Sequence, residues 1–399
     1  MYENIRRNKK ELWKYQKGLM KMHYIPYGRQ SINEDDIKAV EEVLKSDFLT
    51  TGPKIAEFER KFADYVGAKY AVAVSNGTAA LHIACMAAGI GKGDEVITTP
   101  ITFAASANCA LYCGATSVFA DIDPVTYNIS PESVESHVTE RTKAIIPVHY
   151  TGQTCDMDAI HKIADKYNLI VIEDAAHAVG AEYKGKKIGS LSDMTEFSFH
   201  PVKHITCGEG GIVTTNREDL YEKLKLFRTH GITREEKFLH KVDGPWYYEQ
   251  IDLGYNYRIT DIQAALGISQ LGRIDKFLEK RKKIAAKYDE AFRDFNGIEI
   301  PKQAEYSNSA YHLYVIKVDK SIRKALFEYL RANNIGVNVH YIPVYTFPYY
   351  REHGYENVKC ENAEKLYESI ISIPIYYDLS DEEQDYVIDK IKEFMIENR

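Results

Sequence analysis

From Tyr70 onward the chain alternates between two rhythms. Short β-branched and apolar runs at Tyr70–Ser75, Glu95–Thr99, Ser117–Ile122, Ala144–His149, Leu169–Asp174 and Glu196–Phe199 read as strands. Between them, Thr78–Ala88, Ala104–Cys113, Pro131–Val138 and Met157–Tyr167 place apolar residues three and four apart, the spacing of helices. Strands that alternate with helices pair in parallel through right-handed crossovers, so helices cover both faces of the sheet. Several runs are apolar throughout, as strands buried on both faces should be. Gly89 and Gly114 follow helical segments, where a left-handed cap favours glycine, and Glu182–Ile188 reads as a small hairpin.

After about Ile274 the pattern changes. A charged helix over Lys276–Phe295 leads to a strand at His312–Val318, a helix at Ser321–Asn333 and a strand at Gly336–Tyr341. A helix at Asn362–Ser369, an apolar run at Ile370–Ile375 and an amphipathic helix at Asp381–Glu397 follow. The pattern divides the chain into an N-terminal extension (residues 1–23), a large domain (24–274) and a small C-terminal α/β domain (275–399). No internal repeat or low-complexity linker separates the last two, so they are expected to pack tightly.

Composition narrows the function. The chain has 399 residues, 45% of them hydrophobic, enough for a sizeable core. Its net charge of −7, from 51 basic and 58 acidic residues, argues against a nucleic-acid partner. The six cysteines are scattered and form no CxxC pair, so reduced thiols in a cytoplasmic protein are expected and a metal site is not. No apolar run approaches the roughly 18 residues of a membrane span. The basic stretch Met1–Lys21 lacks the apolar segment of a signal peptide and reads as an extension or exposed tail.

Three segments carry candidate chemistry. In Phe197–Gly211 a strand ends, Pro201 breaks the ladder, Lys203 follows, and a glycine-rich turn enters the next strand. A lysine held still there, with its pKa lowered, can form a Schiff base with a carbonyl, although a surface lysine beside a tight turn would read the same. In Leu169–His177 a buried strand delivers Glu173 and Asp174 at its C-terminal end, where ligands bind in open α/β sheets. Pyridoxal phosphate (PLP) needs such an acid beside its pyridine nitrogen, and Asp174 suits that role. His177 could orient it or sit near the ring, or be a satisfied structural histidine. In Val74–Leu81 a strand turns through Gly77 into a helix whose first residues, Thr78 and Ala79, offer free N–H groups to a phosphate, helped by the Thr78 and Ser198 hydroxyls. Thr78 as a plain N-cap is compatible with this.

Together these segments resemble the DegT/DnrJ/EryC1/StrS family of sugar aminotransferases, within the fold-type I (aspartate aminotransferase-like) PLP class. Further matching stretches are Phe48–Pro53, Thr99–Phe103, Gly254–Arg258 and Val339–Pro343. The resemblance covers the chain from about Tyr24 and implies a large, mostly parallel sheet domain with a smaller α/β domain. It implies that Lys203 carries PLP and moves protons, that Asp174 pairs with the pyridine nitrogen, and that Phe103 stacks on the ring. Thr78, Ala79 and Ser198 would hold the phosphate, joined by Asn256 of a second subunit in a homodimer. Gln153 and His177 would sit beside the ring, and Arg258 and His340 near the substrate. Relatives that dehydrate sugars carry histidine at the lysine position, so Lys203 favours transamination.

Ile25–Ile32 and Thr99–Phe103 look most like the pseudaminic-acid branch, whose members aminate C4 of a UDP-linked 4-keto-6-deoxy-N-acetylhexosamine, usually from glutamate. Another UDP- or dTDP-keto sugar, or a PLP-binding regulatory dimer without turnover, are the rival expectations. The run Gly89–Asp94 imitates a dinucleotide fingerprint but follows a helix and precedes a strand, the reverse of the required order. His200 and His204 have i,i+4 spacing, but Pro201 and the glycines preclude the helix that would align them on zinc.

Overall fold

A computed structural model describes residues 23–398. The extension expected over residues 1–23 therefore lies, apart from His23, outside the described residues. Seven strands form the main sheet: β1 (Tyr70–Val74), β2 (Glu95–Thr98), β3 (Thr116–Phe119), β4 (Thr142–Ile146), β5 (Ile170–Asp174), β8 (Met194–Ser198) and β9 (Gly211–Thr215). The expected hairpin supplies β6 (Glu182–Tyr183) and β7 (Lys186–Lys187). The sheet order is β1-β9-β8-β5-β4-β2-β3, and only β9 runs against the others. The sheet is mostly parallel, and its loops at the C-terminal ends of β5 and β8 face one region.

Alternation along β8 separates two environments. Phe197 and Phe199 pack edge-on against Phe62 of a helix spanning Pro53–Val66, with centroids 5.0 and 5.3 Å away. Emptying one such aromatic site costs about 3–5 kcal/mol. Glu196 and Ser198 project to the opposite face, onto α1 (Gly77–Ala87), which is apolar nearly all round and buried. On β5, Ile172 and Asp174 share that second face, while Val171 joins the first core.

A second core lies around β10 (Tyr314–Lys317) and its antiparallel partner β11 (Ile370–Ile373). One helix, Ile274–Phe292, serves both cores: Phe277 and Leu278 enter the sheet cluster, and Ile284, Tyr288 and Phe292 enter the C-terminal one. Ile25 packs in the C-terminal cluster and bridges Ile335, so the first described residues are built into that unit rather than the sheet. The strand expected at Gly336–Tyr341 does not form. Asn338 makes one antiparallel bridge with Ser372; the next ladder position falls at Pro374, which has no N–H to give.

Candidate active site

Lys203 stands in a loop closed on itself. Phe199 N–H donates to the Gly210 carbonyl (2.8 Å), Cys207 N–H to Phe199 (3.0 Å), and Lys203 N–H to His200 (2.9 Å). The side chain is half-buried, and its amine makes no hydrogen bond or ion pair with a described residue. Burial lowers its pKa to about 8, against the opposing pull of the Asp174 and Glu196 carboxyls. Position and partner therefore meet: the lysine and the acid sense each other directly.

Asp174 is 5% exposed and well supplied with donors. Ser106 Oγ donates to Oδ2 at 2.6 Å, and Ala176 N–H to Oδ1 at 3.1 Å; Thr102 Oγ1 lies 2.7 Å from Ser106 Oγ. Ser106 stands on the first turn of α2 (Ala105–Tyr112), just after Phe103, so this helix start presents both. Glu173 points to the other face, where it meets His149 Nε2 (2.8 Å) and Thr195 Oγ1 (3.1 Å). Cys155 N–H donates to His149 Nδ1, which leaves the proton on Nε2 for Glu173. Of the two acids that end β5, Asp174 alone faces Lys203.

Histidines line the lysine. His177 Nε2 lies 3.0 Å from the Tyr341 hydroxyl, and its ring is 4.4 Å from that of His312. His340 Nδ1 lies 2.8 Å from Ser372 Oγ, and His204 Nε2 donates to the Ala310 carbonyl at 3.0 Å. Burial holds all four below the usual histidine range, His340 at about 4, and each also senses the Lys203 charge. They are neutral at pH 7. His177, His204 and His312 each keep an Nδ1 without a partner among the described residues.

At the start of α1 the N-cap is Asn76, not Thr78. Asn76 Oδ1 accepts from Ala79 N–H at 2.8 Å, so the Ala79 donor expected to serve a phosphate is held by this side chain. The Gly77 and Thr78 N–H groups, with the Thr78 and Ser198 hydroxyls, are the donors left. Gly77 is required sterically: a Cβ there would lie 2.5 Å from Glu196 Oε1 and 3.0 Å from Ser198 Cβ.

The remaining candidates divide. Phe103 is 64% exposed, with its ring open to a stacking partner. Arg258 bridges Val74, beside the start of α1, and Asn256 is exposed two residues away. Gln153 is not brought to this group. Its Nε2 donates to the carbonyls of Thr126 (3.1 Å) and Lys302 (3.2 Å), and its Oε1 accepts from Ala304 N–H (2.6 Å), so the amide ties together the backbone at Thr126 and at 302–304. Ser106, Glu196, Tyr341 and His312 join the site without having been expected there. Glu196 carried a signal, an acid inside an otherwise apolar strand, and Tyr341 lies in the quoted Val339–Pro343 stretch.

An unpaired amine of lowered pKa, an acid with two fixed donors, free helix N-terminal N–H groups and neutral imidazoles with open nitrogens fit PLP. The comparisons agree. Spore coat polysaccharide biosynthesis protein SpsC of Bacillus subtilis is 44% identical over 94% of this chain and 97% of that protein. The UDP-4-amino-4,6-dideoxy-N-acetyl-beta-L-altrosamine transaminase of Campylobacter jejuni is 40% identical over 92% of this chain and 96% of its own. The structure of Helicobacter pylori PseC, an aminotransferase involved in the biosynthesis of pseudoaminic acid, superposes with a TM-score of 0.88 at 33% identity, covering 94% of this chain and all of that one. With the family's pattern matched from residue 30 to residue 392, the chain belongs to the DegT/DnrJ/EryC1/StrS aminotransferase family and is a sugar aminotransferase.

Proposed function

We propose that this enzyme moves an amino group from glutamate to C4 of a UDP-linked 4-keto-6-deoxy-N-acetylhexosamine, with PLP carried on Lys203. The observation that carries the reading is the unpaired Lys203 amine, lowered to about 8, beside an Asp174 fixed by Ser106 and Ala176. When bound, PLP supplies an electron-accepting ring conjugated to the substrate nitrogen. The chain supplies the rest. At pH 7 about a tenth of a population with such a lysine is neutral, against well under one in a thousand for an ordinary one. Neutral Lys203 Nζ takes a proton from the donor's α-carbon and returns one to the acceptor's C4.

Asp174 holds negative charge toward the pyridine nitrogen, and its two donors keep it oriented there. The Thr78 and Ser198 hydroxyls and the Gly77 and Thr78 N–H groups take the phosphate, with Asn256 of a second copy completing that cradle in a homodimer. Ala79 contributes through its helix position rather than a free N–H. Phe103 covers one face of the ring, His177 is set at its edge by Tyr341, and Arg258 and His340 meet the sugar. Exposed Phe48, Leu49, Trp246 and Leu253 suit a dimer surface. We place the enzyme in the cytoplasm; among the described residues no helix is long and apolar enough to cross a membrane.

The likeness to the Campylobacter jejuni transaminase and to PseC supports the pseudaminic-acid branch, and the likeness to SpsC, a spore coat polysaccharide biosynthesis protein, keeps another sugar as the rival. Incubation with glutamate and a panel of UDP- and dTDP-4-keto sugars, read by mass spectrometry, decides. Amination of the UDP-4-keto-6-deoxy-N-acetylhexosamine above the others is expected. Turnover confined to a dTDP sugar, or none with any sugar, would overturn the substrate assignment.

A further inference from the structure

Beside Asp174 lies a second buried acid that the reaction above does not use. Glu196 of β8 is the register partner of Asp174 on β5, and register partners project to the same face. It is 1% exposed, and neither carboxyl oxygen has a hydrogen-bond donor among the described residues. Its Oε1 sits against Gly77, the residue that opens α1.

The ionisable groups that face Glu196 are Asp174 from β5, Lys203 from the loop after β8 and Cys109 from α2; Val213 of β9 and Gly77 bring none. The Asp174 carboxyl, from the paired position on the neighbouring strand, is the acid that acts on it directly. Two adjacent buried acids cannot both be charged without large cost, so the pair shares a proton. Asp174 already accepts from Ser106 and Ala176, which stabilise it as a carboxylate. Glu196 accepts from nothing, and a bare buried carboxylate is expensive. The proton therefore belongs on Glu196.

We propose that Glu196 is a positioning residue whose protonated carboxyl donates a hydrogen bond to the Asp174 carboxylate, so that the pair presents one negative charge, rather than two, to the pyridine nitrogen. Burial, then the Asp174 charge, push the Glu196 carboxyl well above its ordinary range, against the opposing Lys203 charge. A donor to Asp174 tempers the charge that faces the pyridine nitrogen, where the cofactor would need its proton. The role toward the pyridine rests on the PLP reading, whereas the protonation of Glu196 does not.

Two measurements test it on the full chain, with Glu196→Gln and Glu196→Val. Without added PLP, thermal unfolding is followed from pH 5 to 8. A raised folded-state pKa gives stability that is fully present below the unfolded value of about 4.3 and is lost as pH rises toward the folded one. Glu196→Gln escapes that loss, so its advantage over wild type should grow with pH, reaching about 2 °C or more at pH 8. With PLP loaded, the pH midpoint of the visible absorbance band is read. Gln keeps both neutrality and a donor, so its midpoint should stay within about 0.3 units of wild type. Val removes the donor, leaves Asp174 more negative, and should raise the midpoint by about half a unit or more.

If Glu196 is instead ionised against Lys203, Gln is less stable at every pH and both midpoints fall; either result overturns the proposal. Should the Val variant not fold, the Gln variant decides alone by the same two readouts. A wild type that develops no visible band with PLP would sink the cofactor reading and the pyridine role together, while the pH-dependent stability would still judge the proton on Glu196.

Discussion

Ser106→Ala removes a hydroxyl that the site depends on twice. Its oxygen lies 2.6 Å from Asp174 Oδ2 and 2.7 Å from Thr102 Oγ1, and all three residues are buried. A short hydroxyl-to-carboxylate bond contributes about 1.5–3 kcal/mol, more than a neutral pair. Without it, Asp174 loses its shortest observed bond and keeps the longer one from Ala176 together with the one proposed from Glu196, and the Thr102 hydroxyl loses its partner. If the fixed charge on Asp174 is used in the transition state, the loss converts to about a 10- to 150-fold drop in rate. It should fall on kcat, with KM for glutamate little changed, because Asp174 does not touch the part of glutamate that binds first. Steady-state transamination with glutamate and the preferred keto sugar reads both constants. Ser106→Thr keeps a hydroxyl and should stay within about fivefold of wild type. A kcat for Ser106→Ala within twofold of wild type would refute the reasoning. So would equal losses in the two variants, which would mean that packing, not the bond, is at stake.

Other consequences are as direct. The rate at which PLP colours the cofactor-free protein should rise with pH and level off above a midpoint near 8, because the neutral Lys203 amine is the nucleophile; a rate still climbing at pH 10 would mean an ordinary lysine. Gly77→Ala drives a methyl group against Glu196 and Ser198, so PLP should bind at least about tenfold more weakly while the protein still folds with a loss of roughly 1–3 kcal/mol; unchanged affinity by fluorescence titration would show that α1 can shift freely. Arg281 is buried without a carboxylate partner among the described residues and donates through Nη1 to the carbonyls of Tyr311, His312 and Ile375 at 3.1–3.2 Å, so Arg281→Met should cost about 2–4 kcal/mol in urea unfolding, and a loss below 1 kcal/mol would mean that water replaces it.

What could be read from the chain alone was what local pattern and motif chemistry encode. Residues of one period form the strands that deliver Asp174 and Ser198, and the final helix, Asp381–Glu397, keeps its expected ends because Ser380 and Glu383 form a capping box. The pairing of Lys203 with Asp174 was legible because β5 and β8 are neighbours in a parallel sheet, which sequence order suggests. What escaped depended on contacts between distant segments. The stretch at Gly336–Tyr341 has strand composition, but its partner edge ends at Pro374. Gln153 was placed beside the ring by the family resemblance alone, yet its amide is captured by Thr126, Lys302 and Ala304, two of them some 150 residues along the chain. Asn76 and Thr78 are both good caps, and only the backbone decides between them. Glu196 lies inside β8, which begins at Met194, two residues earlier than expected, and its companionship with Asp174 is a matter of register, which no single strand reveals.

The most direct measurement is to load the full chain with PLP, reduce it with borohydride, digest it and locate the pyridoxyl mass by tandem mass spectrometry. A single labelled peptide with the added mass on Lys203, lost when glutamate is supplied before reduction, is the expected result. Label spread over other lysines, or a fully labelled Lys203→Ala variant, would contradict the assignment of this amine as the cofactor's anchor.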